Sequence, residues 1–168
     1  MHDPKKREAF ASLFKPRTQK TQERSIRPPY AKNGKVFEEV CLTCKGHECM
    51  AVCEENIIVL DESRVPCLVF TESGCTFCKE CAMACPHEML YSEANEHIYA
   101  KFSIDTRQCI AWNGVICSSC ADACDVKAIP FLGMFRPIIE MDTCTACGFC
   151  YGVCPTNAVQ YTTMNRGV

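Results

Sequence analysis

The chain has 168 residues and a formal net charge of −2, and 17 of its residues are cysteine. Cysteine near one residue in ten suggests a disulfide scaffold in a small secreted protein, but no apolar h-region of a secretory signal stands near the N-terminus. No apolar run approaches the ~20 residues that span a bilayer, so the reading is a soluble protein, with the cytoplasm as its compartment. Residues 1–35 carry ten lysines and arginines against Asp3, Glu8 and Glu23, a net of +7, and the remaining residues carry 8 basic against 17 acidic side chains. A basic segment thus precedes an acidic body.

Residues 1–35 hold Pro4, Pro16, Pro28 and Pro29 and no sustained periodicity, which reads as a flexible N-terminal segment. Within it, Phe10, Leu13 and Phe14 fall at helical spacing and would give a two-turn apolar face. This segment is the part least explained by metal binding, so it is the expected docking arm, together with Arg27-Pro28-Pro29-Tyr30. A nucleic-acid role for the basic residues would be opposed by the acidic body and is not expected.

From residue 36 onward four cysteine motifs follow in order. The first is Cys41-x2-Cys44-x4-Cys49-x3-Cys53, and the second is Cys75-x2-Cys78-x2-Cys81-x3-Cys85 followed by Pro86. The third is Cys109-x7-Cys117-x2-Cys120-x3-Cys124, and the fourth is Cys144-x2-Cys147-x2-Cys150-x3-Cys154 followed by Pro155. The compact second and fourth motifs are the bacterial ferredoxin run, whose last cysteine ligates the other cluster of a pair. Sixteen motif cysteines supply four 4Fe-4S clusters with four thiolates each. Zinc sites usually join two separated cysteine or histidine pairs, and no histidine here stands at ligand spacing. Cys67 alone lies outside the motifs and reads as a small buried strand residue. The long gap makes Cys109 the ligand expected to be loosest, and Trp112 within it reads as packing.

The motifs repeat. Cys75 aligns with Cys144 at an offset of 69, and Cys53 with Cys124 at 71. The expected fold is therefore α+β, with two tandem ferredoxin-like two-cluster units at about 36–100 and 101–168. The apolar runs 56–60, 65–70, 101–104, 128–131 and 136–141 read as short strands, 61–64 and 132–135 as turns, and the x3 intervals as starts of short helices. Each unit then reads β-α-β-β-α-β. Two ligand pairings remain open. Pairing within halves joins Cys41, Cys44 and Cys49 to Cys85; Cys75, Cys78 and Cys81 to Cys53; Cys109, Cys117 and Cys120 to Cys154; and Cys144, Cys147 and Cys150 to Cys124. The rival pairs motif one with four and two with three. The duplication favours the first. Halves this small are marginal by burial alone, so metal binding is expected to drive folding.

No nucleophile–base set, phosphate loop or dinucleotide fingerprint appears, and fully ligated clusters leave no open iron for substrate. The expectation is a non-enzymatic iron–sulfur protein, either an electron carrier or an accessory protein that supplies clusters to a client. The chain also resembles the NapF family, ferredoxin-type accessory proteins of the periplasmic nitrate reductase system. The resemblance rests on IRPPY (26–30), CEENII (53–58), KECAMACP (79–86) and CIAWNGVICSSCADACDVKAI (109–129), and Cys67 departs from the pattern. It implies cytoplasmic location, several 4Fe-4S clusters, and interaction with the nitrate reductase catalytic subunit before its export. The alternative is a general ferredoxin-type carrier or an electron-transfer subunit of a larger oxidoreductase.

Overall fold

A computed structural model describes residues 25–32, 34–91 and 96–164. The predicted helix over 7–14 lies outside the described residues. The elements are small. Helix α1 spans Lys35–Thr43, and four one-turn helices follow at Glu48–Ala51 (α2), Glu80–Met83 (α3), Ser119–Asp122 (α4) and Phe149–Gly152 (α5). Strands β1 (Ile58–Leu60) and β2 (Pro66–Leu68) pair antiparallel with Val59 opposite Cys67. Strands β3 (Ala100–Ile104) and β4 (Val159–Thr163) pair antiparallel with Phe102 opposite Tyr161. The result is an α+β protein of short strands and short helices.

The two halves use the same plan with different emphasis. In the first half the inner pair is the β1–β2 hairpin, and the outer pair shrinks to one antiparallel bridge, Ala31 to Leu90. In the second half the outer pair is the full β3–β4 ribbon, and the inner pair shrinks to the bridge Phe131 to Pro137. The predicted strands at 128–131 and 136–141 are thus not strands. Pro130 and Pro137 have no N–H to donate, so the ladder thins. It keeps only Leu132 N–H to Arg136 C=O (2.9 Å), Ile138 N–H to Pro130 C=O (3.0 Å) and Glu140 N–H to Ala128 C=O (2.9 Å).

The first half also begins earlier than residue 36. Residues 25–32 are part of the packed body: Ile26 and Ala31 are buried, and Tyr30 is 1% exposed. The Ile26 carbonyl accepts from Leu68 N–H (2.8 Å), the Tyr30 carbonyl from Tyr91 N–H (2.8 Å), and Lys32 N–H reaches Met89 C=O (2.9 Å). Arg27 is held by Asp61 (2.6 Å) and Glu38 (3.3 Å). The segment Arg27–Tyr30 is therefore used up in packing and is not free to dock a partner. The prolines of this segment suggest looseness in the sequence, but Pro28 is fully buried.

The halves share one core. Phe70 from the first half meets Phe102 (5.6 Å between ring centres) and Tyr161 (5.4 Å) from the second, and Tyr151 adds a contact to Tyr161 at 4.9 Å. Edge-to-face aromatic pairs each add about 0.5–1.5 kcal/mol beyond their burial. The glycines at this seam are there because space is missing. A Cβ on Gly148, whose φ is +93°, would stand 2.2 Å from the Phe70 ring.

Candidate iron–sulfur sites

Local backbone chemistry places the cysteines in a repeated way. Each one-turn helix carries the third cysteine of its motif: Cys49 in α2, Cys81 in α3, Cys120 in α4 and Cys150 in α5. The fourth cysteine follows the end of that helix, so the x3 intervals expected to start helices instead end them. Three residues after each fourth cysteine stands a left-handed residue: Asn56, Glu88, Lys127 and Asn157, all with φ between +53° and +54°. Each turns the chain so that its own N–H bonds back to the cysteine carbonyl, at 3.0, 3.2, 3.0 and 3.2 Å for Cys53, Cys85, Cys124 and Cys154. The next N–H then points at sulfur, from Met89 to Cys85 Sγ (3.3 Å), Ala128 to Cys124 Sγ (3.2 Å) and Ala158 to Cys154 Sγ (3.2 Å). Donors aimed at sulfur favour thiolates and tune iron–sulfur centres. Asparagine at two of the four turns was the one signal of this device in the sequence, since it tolerates that conformation.

The sixteen motif cysteines gather into four rings, each around its own cavity. Site 1 is ringed by Cys41, Cys44, Cys49 and Cys85, and site 2 by Cys53, Cys75, Cys78 and Cys81. Site 3 is ringed by Cys109, Cys117, Cys120 and Cys154, and site 4 by Cys124, Cys144, Cys147 and Cys150. In every ring three cysteines come from one motif and the fourth from the other motif of the same half. These groupings match pairing within halves and not the pairing of motif one with four. Each cavity is about 320 to 520 Å³, counting the solvent it admits. A lone zinc ion needs thiolates at about 2.3 Å from one point. Among the described residues no three His, Cys, Asp or Glu side chains converge that way. The thiols surround a volume, as a polynuclear centre requires.

Electrostatics agree with a cationic occupant. Burial, and then the neighbouring thiols, push Cys49 and Cys81 up to about 12, and Cys41 and Cys120 to about 11. Cys75 is pushed to about 11 by burial, against an opposing N–H from Phe77. Burial also raises Cys144 and Cys150. Cys154 goes the other way. Burial raises it, but N–H groups of Val159, Thr156 and Ala158 outweigh that and hold it low. Four thiolates cannot crowd together at neutral pH unless positive metal takes them, and a coordinating thiol is deprotonated outright. At site 1 the His47 Nδ1 is buried without a hydrogen-bond partner, and His47 is among the residues that line the cavity. The residues present therefore fit iron–sulfur clusters.

Two further expectations resolve. Cys109 is buried, not loose. Its N–H bonds to Asp105 C=O (3.0 Å), and the Asn113 amide donates to its carbonyl (2.8 Å) as well as toward Thr106 and Arg107. The long gap is closed by this asparagine and by Trp112, whose indole N–H donates to Pro137 C=O (3.0 Å). Cys67 is buried in β2 and borders none of the four cavities.

Comparison with known proteins follows this geometry. The 4Fe-4S binding domain family matches residues 68–91 and 137–160, which contain the two compact motifs. The ferredoxin-type protein NapF of Escherichia coli strain K12 is 33% identical over 139 residues, covering 80% of this chain and 82% of that protein. The ferredoxin-type protein NapF of Haemophilus influenzae is 33% identical over 144 residues, covering 83% and 78%. The ferredoxin-type protein NapG of Haemophilus influenzae is 26% identical over 154 residues, covering 77% of this chain and 54% of that protein.

Proposed function

Since this chain belongs to the NapF family of ferredoxin-type proteins, we propose that it holds four 4Fe-4S clusters in two tandem ferredoxin-like units and serves in the cytoplasm in maturation of the nitrate reductase catalytic subunit before export. The observation that supports the cluster part of this reading is the set of four cavities, each ringed by four cysteines, and the maturation part rests on the likeness to NapF. When bound, such clusters supply one-electron redox chemistry. The chain's own contribution is to hold the sixteen thiolates, to aim backbone N–H groups at sulfur, and to bury at least one cysteine of each ring while leaving others partly open to solvent. Among the described residues no helix is long and apolar enough to cross a membrane.

Anaerobic iron and sulfide analysis tests the ligand set. About sixteen irons per chain are expected for the wild type and for Cys67→Ser, and about twelve for Cys81→Ser, because each 4Fe-4S site needs four thiolates. Zinc as the dominant metal, or iron lost from Cys67→Ser, would show the assignment to be wrong.

The partner reading is tested by truncation. With Arg27–Tyr30 packed into the body, the basic arm left for docking is residues 1–24. Deleting them is expected to reduce co-purification of the unexported nitrate reductase subunit while iron stays at the wild-type level. A basic arm acts mainly on encounter with an acidic surface, so the loss should be largest at low salt and shrink as salt screens the arm. Undiminished binding would move docking to the body, where Val115 and Ile116 are exposed beside site 3.

A further inference from the structure

The two halves do not simply lie side by side. They meet through the cysteine loops themselves. Cys75 N–H of the second motif donates to Cys147 C=O of the fourth at 2.7 Å. Beside it, Gly74 is pressed so closely that an added Cβ would stand 2.5 Å from Phe149 N and 2.7 Å from Cys147 O. Gly152 repeats the approach on the other side of α5, where a Cβ would meet the Glu72 carbonyl oxygen at 3.1 Å. The Phe70 ring, four residues before Gly74, fills the space that Gly148 leaves empty. These atoms belong to the segment leading into the second motif and to the fourth motif with its helix α5.

Within each half the other neighbours are equally defined. Helix α2, which carries Cys49 of site 1, packs on α3, which carries Cys81 of site 2. Helix α4, with Cys120 of site 3, packs on α5, with Cys150 of site 4. The chain links agree, since α2 leads from Cys49 of site 1 to Cys53 of site 2, and α5 from Cys150 of site 4 to Cys154 of site 3.

We infer that the four sites stand in a single order, site 1, site 2, site 4, site 3, and that the seam of Gly74, Cys75, Cys147 and Gly148 is what makes sites 2 and 4 neighbours across the duplication. This order differs from the order of the motifs along the chain. It leaves sites 1 and 3 as the two ends. Gly74 and Gly148 are positioning residues in it: neither supplies a thiolate, but the missing side chain of Gly74 lets the two ligand loops approach at backbone distance, and that of Gly148, at the edge of the site 4 cavity, admits the Phe70 ring. The inference rests on the four rings being 4Fe-4S sites.

The test uses magnetic interaction between reduced centres, read by pulsed EPR on full-length, anaerobically isolated protein reduced with dithionite. Cys44→Ser with Cys117→Ser is expected to leave about eight irons, in sites 2 and 4, and signals split by mutual spin interaction. Cys78→Ser with Cys147→Ser is expected to leave about eight irons, in sites 1 and 3, and two signals with no interaction. An interacting pair in the second variant, or an uncoupled pair in the first, overturns the order. Gly74→Ala removes no ligand and covers the case in which a double variant fails to fold. It is expected to keep the wild-type iron count and lose part of the splitting between sites 2 and 4, and an unchanged splitting would overturn the role of the seam. A wild type short of about sixteen irons would instead overturn the four-site reading, and the iron count separates that failure from an error in order.

Discussion

Stripping iron from the anaerobically isolated protein is expected to abolish most of its far-ultraviolet circular dichroism and its cooperative melting. Four of the five described helices have only four residues, and helices below ~12–15 residues are marginal in water without tertiary support. The strands run three to five residues and pair only two by two, and an isolated pair of strands is also marginal. A domain's whole stability is about 5–15 kcal/mol. Binding at one structural zinc site in a small peptide is worth about 10–16 kcal/mol, so losing four polynuclear centres outweighs anything the aromatic seam around Phe70 retains. The thiols add a pH dependence to whatever fold persists without metal. Their folded pKa values, about 11 to 12 at Cys41, Cys49, Cys75, Cys81 and Cys120, lie above the ordinary 9.0. A group whose pKa is raised on folding contributes stability that is full below its unfolded pKa and is lost as pH rises through the folded value. Any metal-free population that keeps these rings folded should thus be lost between about pH 9 and pH 12. Circular dichroism and thermal melts of chelated protein check both statements. A metal-free form with native dichroism and a sharp transition would show that the polypeptide core is sufficient.

Much of this architecture was legible because iron–sulfur chemistry writes itself into spacing. Three thiolates within seven residues can reach one centre only, and an offset near 70 residues repeats the pattern, so ligands and duplication were both readable. The partner of each fourth cysteine was not readable from spacing alone. It depends on the one-turn helix before it and the left-handed residue after it, and Glu88 and Lys127 adopt that conformation without being residue types that advertise it. The strands of the first half were visible as β-branched runs. In the second half the run 101–104 was legible as β3, but β4 was not foreseen, and Pro130 and Pro137 cut the ladder that the apolar pattern 128–141 suggested. The seam between the halves was silent as well. Nothing local to Gly74 or Phe70 says that each is shaped by a loop more than seventy residues away.

The largest single-residue effect outside the ligands is expected at Tyr30, which the sequence placed in a flexible arm. Its ring is fully buried, its hydroxyl donates to the Phe77 carbonyl at 2.9 Å, and it borders the site 2 cavity beside Cys75 and Cys78. Burial, followed by the surrounding thiols, raises its pKa far above the usual tyrosine value, so the hydroxyl remains a donor at any pH the protein survives. Tyr30→Ala empties a large-ring site and should cost about 3–5 kcal/mol. It also strips the Phe77 carbonyl of its donor, a further penalty of about 1–3 kcal/mol if water cannot replace it. Tyr30→Phe keeps the ring and loses only the hydrogen bond, about 1 kcal/mol. The expected readout is graded. Tyr30→Ala should lower the melting temperature of the iron-loaded protein steeply and speed loss of about four irons in air, whereas Tyr30→Phe should shift melting by a few degrees and keep its iron count. Arg27 supports the same segment from outside the core: burial raises Asp61, but the Val65 N–H and the Arg27 guanidinium more than offset this and hold its carboxyl below the ordinary range. That contribution is present above pH ~4 and is lost as acid protonates Asp61. Equal melting and equal iron retention for Tyr30→Ala and wild type would mean that residues 25–32 can leave the body without cost, which would leave Arg27–Tyr30 available to dock a partner.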